Sequence, residues 1–326
     1  MPANLPPDYY AAERRFRAEN DIQEKINILR EMLAIMPKHK GTEHLQGDIK
    51  RKIAKFSAES QKSKGGSRQS LFDYISREGA GQAVLVGAPN CGKSTLTDRL
   101  THARPRVASY PFSTFKPVCG MMPYEDIQIQ LVDLPPVSEM TESWVYNIIR
   151  LTDLVLWMVD LSEQTADVQI NQIIKQLEEH HIQLVPEGEK RPQGTVARKT
   201  ALIVGSKVDR VNDLQRWEQV LRSIPDSFHA VQLSYQPESV EAFKKKVFEA
   251  LKIIRVYTKT PGKSIDYEKP YILSGGASVA DAACIIHHDL AEQMKFARIW
   301  GSEKYEGQRV TRDHALSDRD VIEIHT

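Results

Sequence analysis

Gly87-Ala88-Pro89-Asn90-Cys91-Gly92-Lys93-Ser94, followed by Thr95, fits the pattern G-x-x-x-x-G-K-[ST]. Its setting matters more than the string. An apolar run at 83–86 precedes it, and a helical pattern with Leu96 and Leu100 follows. Such a strand, loop and helix can hold phosphate. Glycines let the backbone bend so that N–H groups face phosphate oxygens, and the helix N-terminus favours an anion. Gly87, Ala88, Pro89, Asn90, Cys91, Gly92, Lys93, Ser94 and Thr95 are therefore the expected nucleotide contacts. Lys93 is expected to hold the β- and γ-phosphates catalytically, and the Ser94 hydroxyl to bind Mg²⁺. The bland alternative is a Gly-rich turn.

Outward from this loop, short apolar segments at 127–132, 154–159, 201–204 and 230–233 alternate with helical patterns, the last at 241–252. That alternation predicts a parallel sheet covered by helices. Three further elements fall at strand ends. Asp133 closes the apolar run Leu131-Val132 and is the expected acid supporting Mg²⁺; a strand-end turn Asp is the ordinary alternative. Ser206-Lys207-Val208-Asp209 follows 201–204, where the Asp209 carboxylate can accept from the N1 and N2 donors of guanine. Ser234, with Tyr235 beside it, follows 230–233 and is placed to bring backbone near the guanine O6. Between the phosphate loop and Asp133, Tyr110-Pro111-Phe112-Ser113-Thr114-Phe115 offers Thr114, or Ser113 beside it, to reach Mg²⁺ and the γ-phosphate. An exposed loop with ordinary Ser and Thr is the alternative there.

The flanks differ from this centre. Residues 9–60 carry helical spacing interrupted at 36–41, which predicts a helical hairpin, and 57–70 is Ser/Gly/Lys/Gln-rich like a linker. Residues 38–68 hold nine Lys/Arg against three acids, although the whole chain is only +1. A solvated helix face and an RNA-binding segment are both consistent with that. From 253 the pattern becomes strand, return strand, a helix at 279–290 capped by Ser278, and strands at 296–300 and 321–324, an α+β unit of the β-grasp type. The expected parts are 1–65, 66–252 and 253–326. Three scattered cysteines exclude a disulfide framework and predict a reducing compartment. With no long apolar span and no signal-peptide core, the chain is expected to be cytoplasmic, with no membrane contact.

The phosphate loop, Ala108-Ser109-Tyr110-Pro111-Phe112-Ser113-Thr114, and Ile129-Gln130-Leu131-Val132-Asp133-Leu134-Pro135 resemble the developmentally regulated GTP-binding proteins, Obg-related P-loop GTPases. Ile254-Arg255-Val256-Tyr257-Thr258-Lys259, Met294-Lys295-Phe296-Ala297, Trp300-Gly301 and 318–324 resemble that family's TGS domain. The basic stretch Asp48-Ile49-Lys50-Arg51 is similar to its helical segment. The resemblance implies an α/β P-loop GTPase domain with an N-terminal helical hairpin and a C-terminal TGS domain. It further implies GTP hydrolysis with Mg²⁺, association with ribosomes or RNA through 38–68, and a protein partner for the TGS-like domain. Asn90 is expected to assist K⁺ binding. Three departures stand out. Pro136 replaces a Gly whose N–H would reach the γ-phosphate, Ser206 replaces Asn, and 161–200 is too short for the inserted domain of eukaryotic and archaeal relatives. Val137 occupies the place of a water-orienting Gln, so turnover is expected to be slow. Pro136 and Ser206 are also the grounds for a rival reading, a nucleotide-dependent binding module with little or no hydrolysis. An ATPase is the third reading, and Asp209 argues against it.

Overall fold

The structure, a computed structural model, describes residues 6–19, 22–36, 43–63, 75–101, 106–107, 117–187, 196–211, 215–224, 227–302 and 305–326. The chain divides into two compact units, one spanning Arg77–Ile253 and one made of Met1–Ser76 with Ile254–Thr326.

The N-terminal part contains α1 (Pro7–Ala18), α2 (Ile22–Ile35) and α3 (Glu43–Ser63). Helices α2 and α3 pair as the periodicity predicts. The stretch expected as the hairpin's first helix holds two, α1 and α2, and α1 opens with a proline in its first turn, where a missing N–H costs nothing. Tyr9, Ala12, Ile28, Leu29, Met32, Met36 and Ile49 close a small core of their own. On α3, Lys50, Arg51, Lys52 and Lys55 are exposed while Ile49 is buried. The parts of the basic segment at 38–42 and 64–68 lie outside the described residues.

The larger unit runs β1 (Gln82–Gly87), α4 (Lys93–Leu100), β2 (Arg106–Val107), β3 (Val118–Tyr124), β4 (Ile127–Asp133), α5 (Ser143–Leu151), β5 (Leu154–Asp160), α6 (Ala166–Glu179), β6 (Ile182–Val185), β7 (Ala197–Ser206), α7 (Gln215–Arg222), β8 (Ala230–Gln232) and α8 (Pro237–Leu251). Its described strands lie in the order β2-β3-β4-β1-β5-β7-β6, with β8 also on β7. The pairs β1–β4, β1–β5, β5–β7, β6–β7 and β7–β8 are parallel, as the alternating pattern predicts. Every residue of β1 and of β5 is buried, because helices cover both faces.

The sheet is mainly parallel, as expected; the pairs β2–β3 and β3–β4 are antiparallel. Its strand β3 contains Gly120 and Pro123, both poor strand signals. Gly120 is required because a Cβ there would lie 2.4 Å from the Thr101 side chain. The turn is Glu125-Asp126, with Glu125 at φ 50, so no Asn-Gly or Asp-Gly pair announces it.

The C-terminal part has β9 (Ile253–Lys259), β10 (Ile265–Ser274), α9 (Val279–Ile286), α10 (His288–Gln293), β11 (Phe296–Trp300), β12 (Gln308–Val310) and β13 (Asp320–His325). The sheet order is β10-β9-β13-β11-β12, with β9 and β13 parallel at its centre. The single helix expected over 279–290 is two. His287 is extended (φ −165, ψ 135) and its ring nitrogen accepts from the Asp289 N–H, restarting the helix. Ser278 caps α9 as expected and forms a capping box with Asp281. Arg255, 2% exposed, is held by Asp318 through hydrogen bonds of 2.6–3.0 Å.

Candidate nucleotide site

The parallel strands β1, β4, β5 and β7 end together, and their C-terminal loops carry most of the predicted site. This is where ligands bind in open α/β sheets. The phosphate loop joins β1 to α4. Asn90 has φ 61 and Gly92 φ 97, left-handed values that turn the backbone. Gly87 admits no side chain, since a Cβ would meet Cys91 Sγ at 2.6 Å and the Met158 carbonyl at 2.7 Å. Lys93 is 6% exposed. Its ammonium donates to the Gly87 carbonyl (3.1 Å) and the Ala88 carbonyl (3.0 Å). The amine is thus folded over the loop in which phosphates would lie.

The Ser94 hydroxyl donates to Asp133 Oδ2 at 2.6 Å. The other carboxylate oxygen, Asp133 Oδ1, is buried with no hydrogen-bond partner. Burial raises the Asp133 carboxyl above its ordinary value, and the Ser94 hydrogen bond and Lys93 pull it back. A buried carboxylate oxygen without a donor is costly, and a hard cation is the natural partner for it. The donor set, a hydroxyl and a carboxylate at the end of a phosphate loop, suits Mg²⁺. Among the described residues there is no cluster of three or more His, Cys, Asp or Glu that could hold a metal without further ligands. Mg²⁺ bound by one or two protein oxygens plus phosphates fits that finding. Thr114, the remaining expected Mg²⁺ ligand, lies outside the described residues, as does Ser113.

Ser206 is brought to the phosphate loop. It is 4% exposed, and its hydroxyl lies 2.7 Å from the Cys91 carbonyl and 3.2 Å from the Val159 carbonyl. A side chain expected near the base thus braces the phosphate loop. Cys91 is buried, and burial pushes its thiol up, so it stays neutral and adds no negative charge beside phosphates. Lys207, at φ 56, reaches Asp160 Oδ2 at 2.5 Å. Asp160, which the sequence reading missed, also accepts from the Ser162 N–H and hydroxyl at 2.9 and 2.7 Å. Its signal was available: like Asp133 it ends a strand, and every residue before it in β5 is apolar. Asp209 is exposed in a short 3-10 turn after Lys207. The Ser234 N–H donates to Ser239 at 3.1 Å, and the Arg99 guanidinium lies 4.4 Å from the centre of the Tyr235 ring. Burial raises the Tyr235 phenol, with Arg99 opposing, so the ring meets the site uncharged.

After Asp133 the chain is pinned. The Thr141 hydroxyl donates to the Pro136 carbonyl (3.1 Å) and accepts from the Ser138 N–H (2.7 Å). Val137 is 5% exposed, turned into the core.

Comparison with known proteins agrees with this geometry. A family profile described as 50S ribosome-binding GTPase matches residues 82–193, and the TGS domain profile matches 254–326. A GTP-binding protein of Methanocaldococcus jannaschii is 27% identical, covering 93% of this chain and 92% of its own length. Developmentally-regulated G-protein 3 of Arabidopsis thaliana is 28% identical over 368 positions, covering 93% of this chain and 98% of its own. The solved structure of the Schizosaccharomyces pombe YchF GTPase aligns with a TM-score of 0.48 at 14% identity, covering 76% of this chain and 98% of that one. Among the described residues no helix is long and apolar enough to cross a membrane. With a phosphate loop at the strand ends, a GTPase profile over it, a TGS profile at the C-terminus and similarity along nearly the whole length, the chain is similar to the developmentally regulated GTP-binding proteins and carries the GTPase and TGS domains in the same order.

Proposed function

We propose that this protein hydrolyses GTP to GDP and phosphate with Mg²⁺, slowly on its own, as a regulatory switch associated with ribosomes or RNA in the cytoplasm. The observation that carries the reading is the Ser94–Asp133 pair beside Lys93, with Asp133 Oδ1 left for a cation. Lys93 and the loop amides would stabilise charge on the transferring phosphoryl. Ser94, Thr114 and Asp133 would hold Mg²⁺, which supplies charge neutralisation between the phosphates. Lys207 and Asp209 would select guanine, with Ser234 and Tyr235 closing over its O6 edge. The basic face of α3 would meet RNA, and the TGS domain a further partner. The functional parts are 1–65, 66–252 and 253–326. Slow turnover follows from Val137, whose buried side chain cannot orient water, and K⁺ held with the help of Asn90 would compensate in part.

A second reading keeps nucleotide binding and drops hydrolysis. Pro136 favours it, because its nitrogen has no hydrogen to give the γ-phosphate. Binding and phosphate release with GTP and ATP, in KCl and in NaCl, decide between them, with Lys93→Ala as the control. GTP turnover that is slow and faster in K⁺ supports the switch. Binding without turnover, even with ribosomes added, supports the module, and preference for ATP sinks both.

A further inference from the structure

Helix α4 starts at the phosphate loop with Lys93 and carries Arg99 in its last turn. At a helical rise of 1.5 Å per residue the two backbones are about 9 Å apart along the axis. A cation is favoured at that far end, where the helix dipole is negative. The Arg99 guanidinium lies over the Tyr235 ring, 4.4 Å from its centre. Tyr235 belongs to the short loop between β8 and α8. One helix therefore touches both ends of the candidate site, the phosphate loop at its start and the base loop at its finish.

The base loop has one other tie. The Ser234 N–H donates to the hydroxyl of Ser239, in the first turn of α8, at 3.1 Å. Among the described residues nothing takes the N–H of Tyr235, so that group is available to an acceptor on a base. A Tyr side chain has only two torsions, and a ring fixed against Arg99 leaves its own backbone little freedom. The charges fit the same arrangement. After burial, the opposing effects of Arg99 and Asp209 act on the Tyr235 phenol, so both charges lie near this one ring. Both side chains are exposed, yet among the described residues neither makes an ion pair. Arg99 stacks on the ring and leaves the Asp209 carboxylate to donors on the base.

We propose that Arg99 is a positioning residue for bound nucleotide: by stacking on Tyr235 it latches the base loop to the helix that carries the phosphate loop, and so sets how long GDP and GTP stay bound. The inference rests on the nucleotide reading above. It adds to that reading a residue outside the phosphate loop and outside the segment from Ser206 to Asp209. A latch of this kind acts on release, where most differences in affinity between related complexes lie.

The test uses the full chain, a fluorescent GDP analogue and stopped flow, with release followed after a chase of unlabelled GDP. Arg99→Ala is expected to speed release about two- to fivefold, the factor carried by a cation over an aromatic ring at an exposed site, with association unchanged. Arg99→Lys keeps a cation over the ring and should restore part of the loss. Tyr235→Leu should also speed release, and adding Arg99→Ala in that background should change it no further. A contact that only adds stability would leave release untouched under native conditions. Release indifferent to Arg99→Ala overturns the proposal, and so does equal acceleration by Arg99→Ala with and without Tyr235→Leu. Slower, salt-dependent association with normal release also overturns it, since that is long-range attraction of phosphates. Failure of the unaltered chain to bind the analogue overturns the nucleotide reading and this one together, whereas binding with release indifferent to Arg99 overturns the latch alone.

Discussion

The two sheets of this molecule make opposite use of the same backbone. In the eight-stranded sheet the central strands β1 and β5 are buried at every position, so both faces are spent on packing and chemistry is confined to the loops at the strand ends. In the five-stranded sheet β11 alternates, with Ala297 and Ile299 buried and Arg298 exposed between them. There one face holds the domain together, and the other exposes Arg298, Arg309 and Tyr267 around a buried centre on β9 and β13. The sheet buried along its central strands thus confines chemistry to strand ends, whereas the smaller sheet exposes polar side chains along its outer strands.

The sharpest way to break this comparison is a pair of neighbouring truncations in each sheet. Leu85→Ala and Leu156→Ala are each expected to cost about 2–5 kcal/mol by denaturant unfolding, and Val84 and Val155, which are equally buried, should also be intolerant. In the smaller sheet Ile299→Ala should cost about 2–5 kcal/mol and Arg298→Ala no more than about 0.5 kcal/mol. Equal costs at 298 and 299 would mean that the second face is packed after all. Next in size is Lys93→Ala. Removing a cation aimed at the transferring phosphoryl is expected to slow GTP turnover by about 10²–10³-fold, read by phosphate release, with little change in unfolding. Ser206→Ala loses the hydroxyl's single donor hydrogen, which the shorter Cys91 contact claims, worth about 1 kcal/mol. It should weaken GDP and GTP alike by roughly fivefold, as titration of a fluorescent nucleotide would show; a loss confined to GTP would place Ser206 elsewhere in the mechanism.

The smallest effect concerns acid. The Lys259 hydrogen bond, followed by that of His325, holds the Glu323 carboxyl below its ordinary range against the opposing effect of burial. A carboxyl lowered on folding adds stability that is complete above its unfolded value and disappears as pH falls through the folded one. Hydrogen exchange at β13 should therefore accelerate as pH falls below about 4.3, the unperturbed Glu value. In Glu323→Gln that acid limb should be flat.

What could be read from the sequence follows the same division. Strands β1 and β5 were visible because double burial writes them as nearly unbroken apolar runs, β4 and β7 because their C-terminal halves are apolar, and Lys93, Ser94 and Asp133 because they follow those runs. Strand β3 was hidden by Gly120 and Pro123, which serve a close approach to Thr101 and an edge position. Strand β12 is three residues long and too short to show a period. Arg99 could not be found at all, because its stacking on Tyr235 depends on two distant segments meeting. Ser206 was found for its position, whereas its hydrogen bond to the Cys91 carbonyl joins distant segments and leaves no local pattern. The role of Thr114 rests on sequence alone.

The brace from Ser206 to the Cys91 carbonyl joins residues 115 positions apart. Contacts of such long range form late, because the intervening chain must be ordered before they repay its lost freedom. As the polypeptide leaves the ribosome, β1 and the phosphate loop emerge early, yet their brace arrives only with the end of β7. A nascent chain halted before Ser206 would carry the whole phosphate-binding motif and still lack the hydroxyl that steadies it. The ability to hold nucleotide would then begin not when the motif is made, but when the strand that braces it is in place.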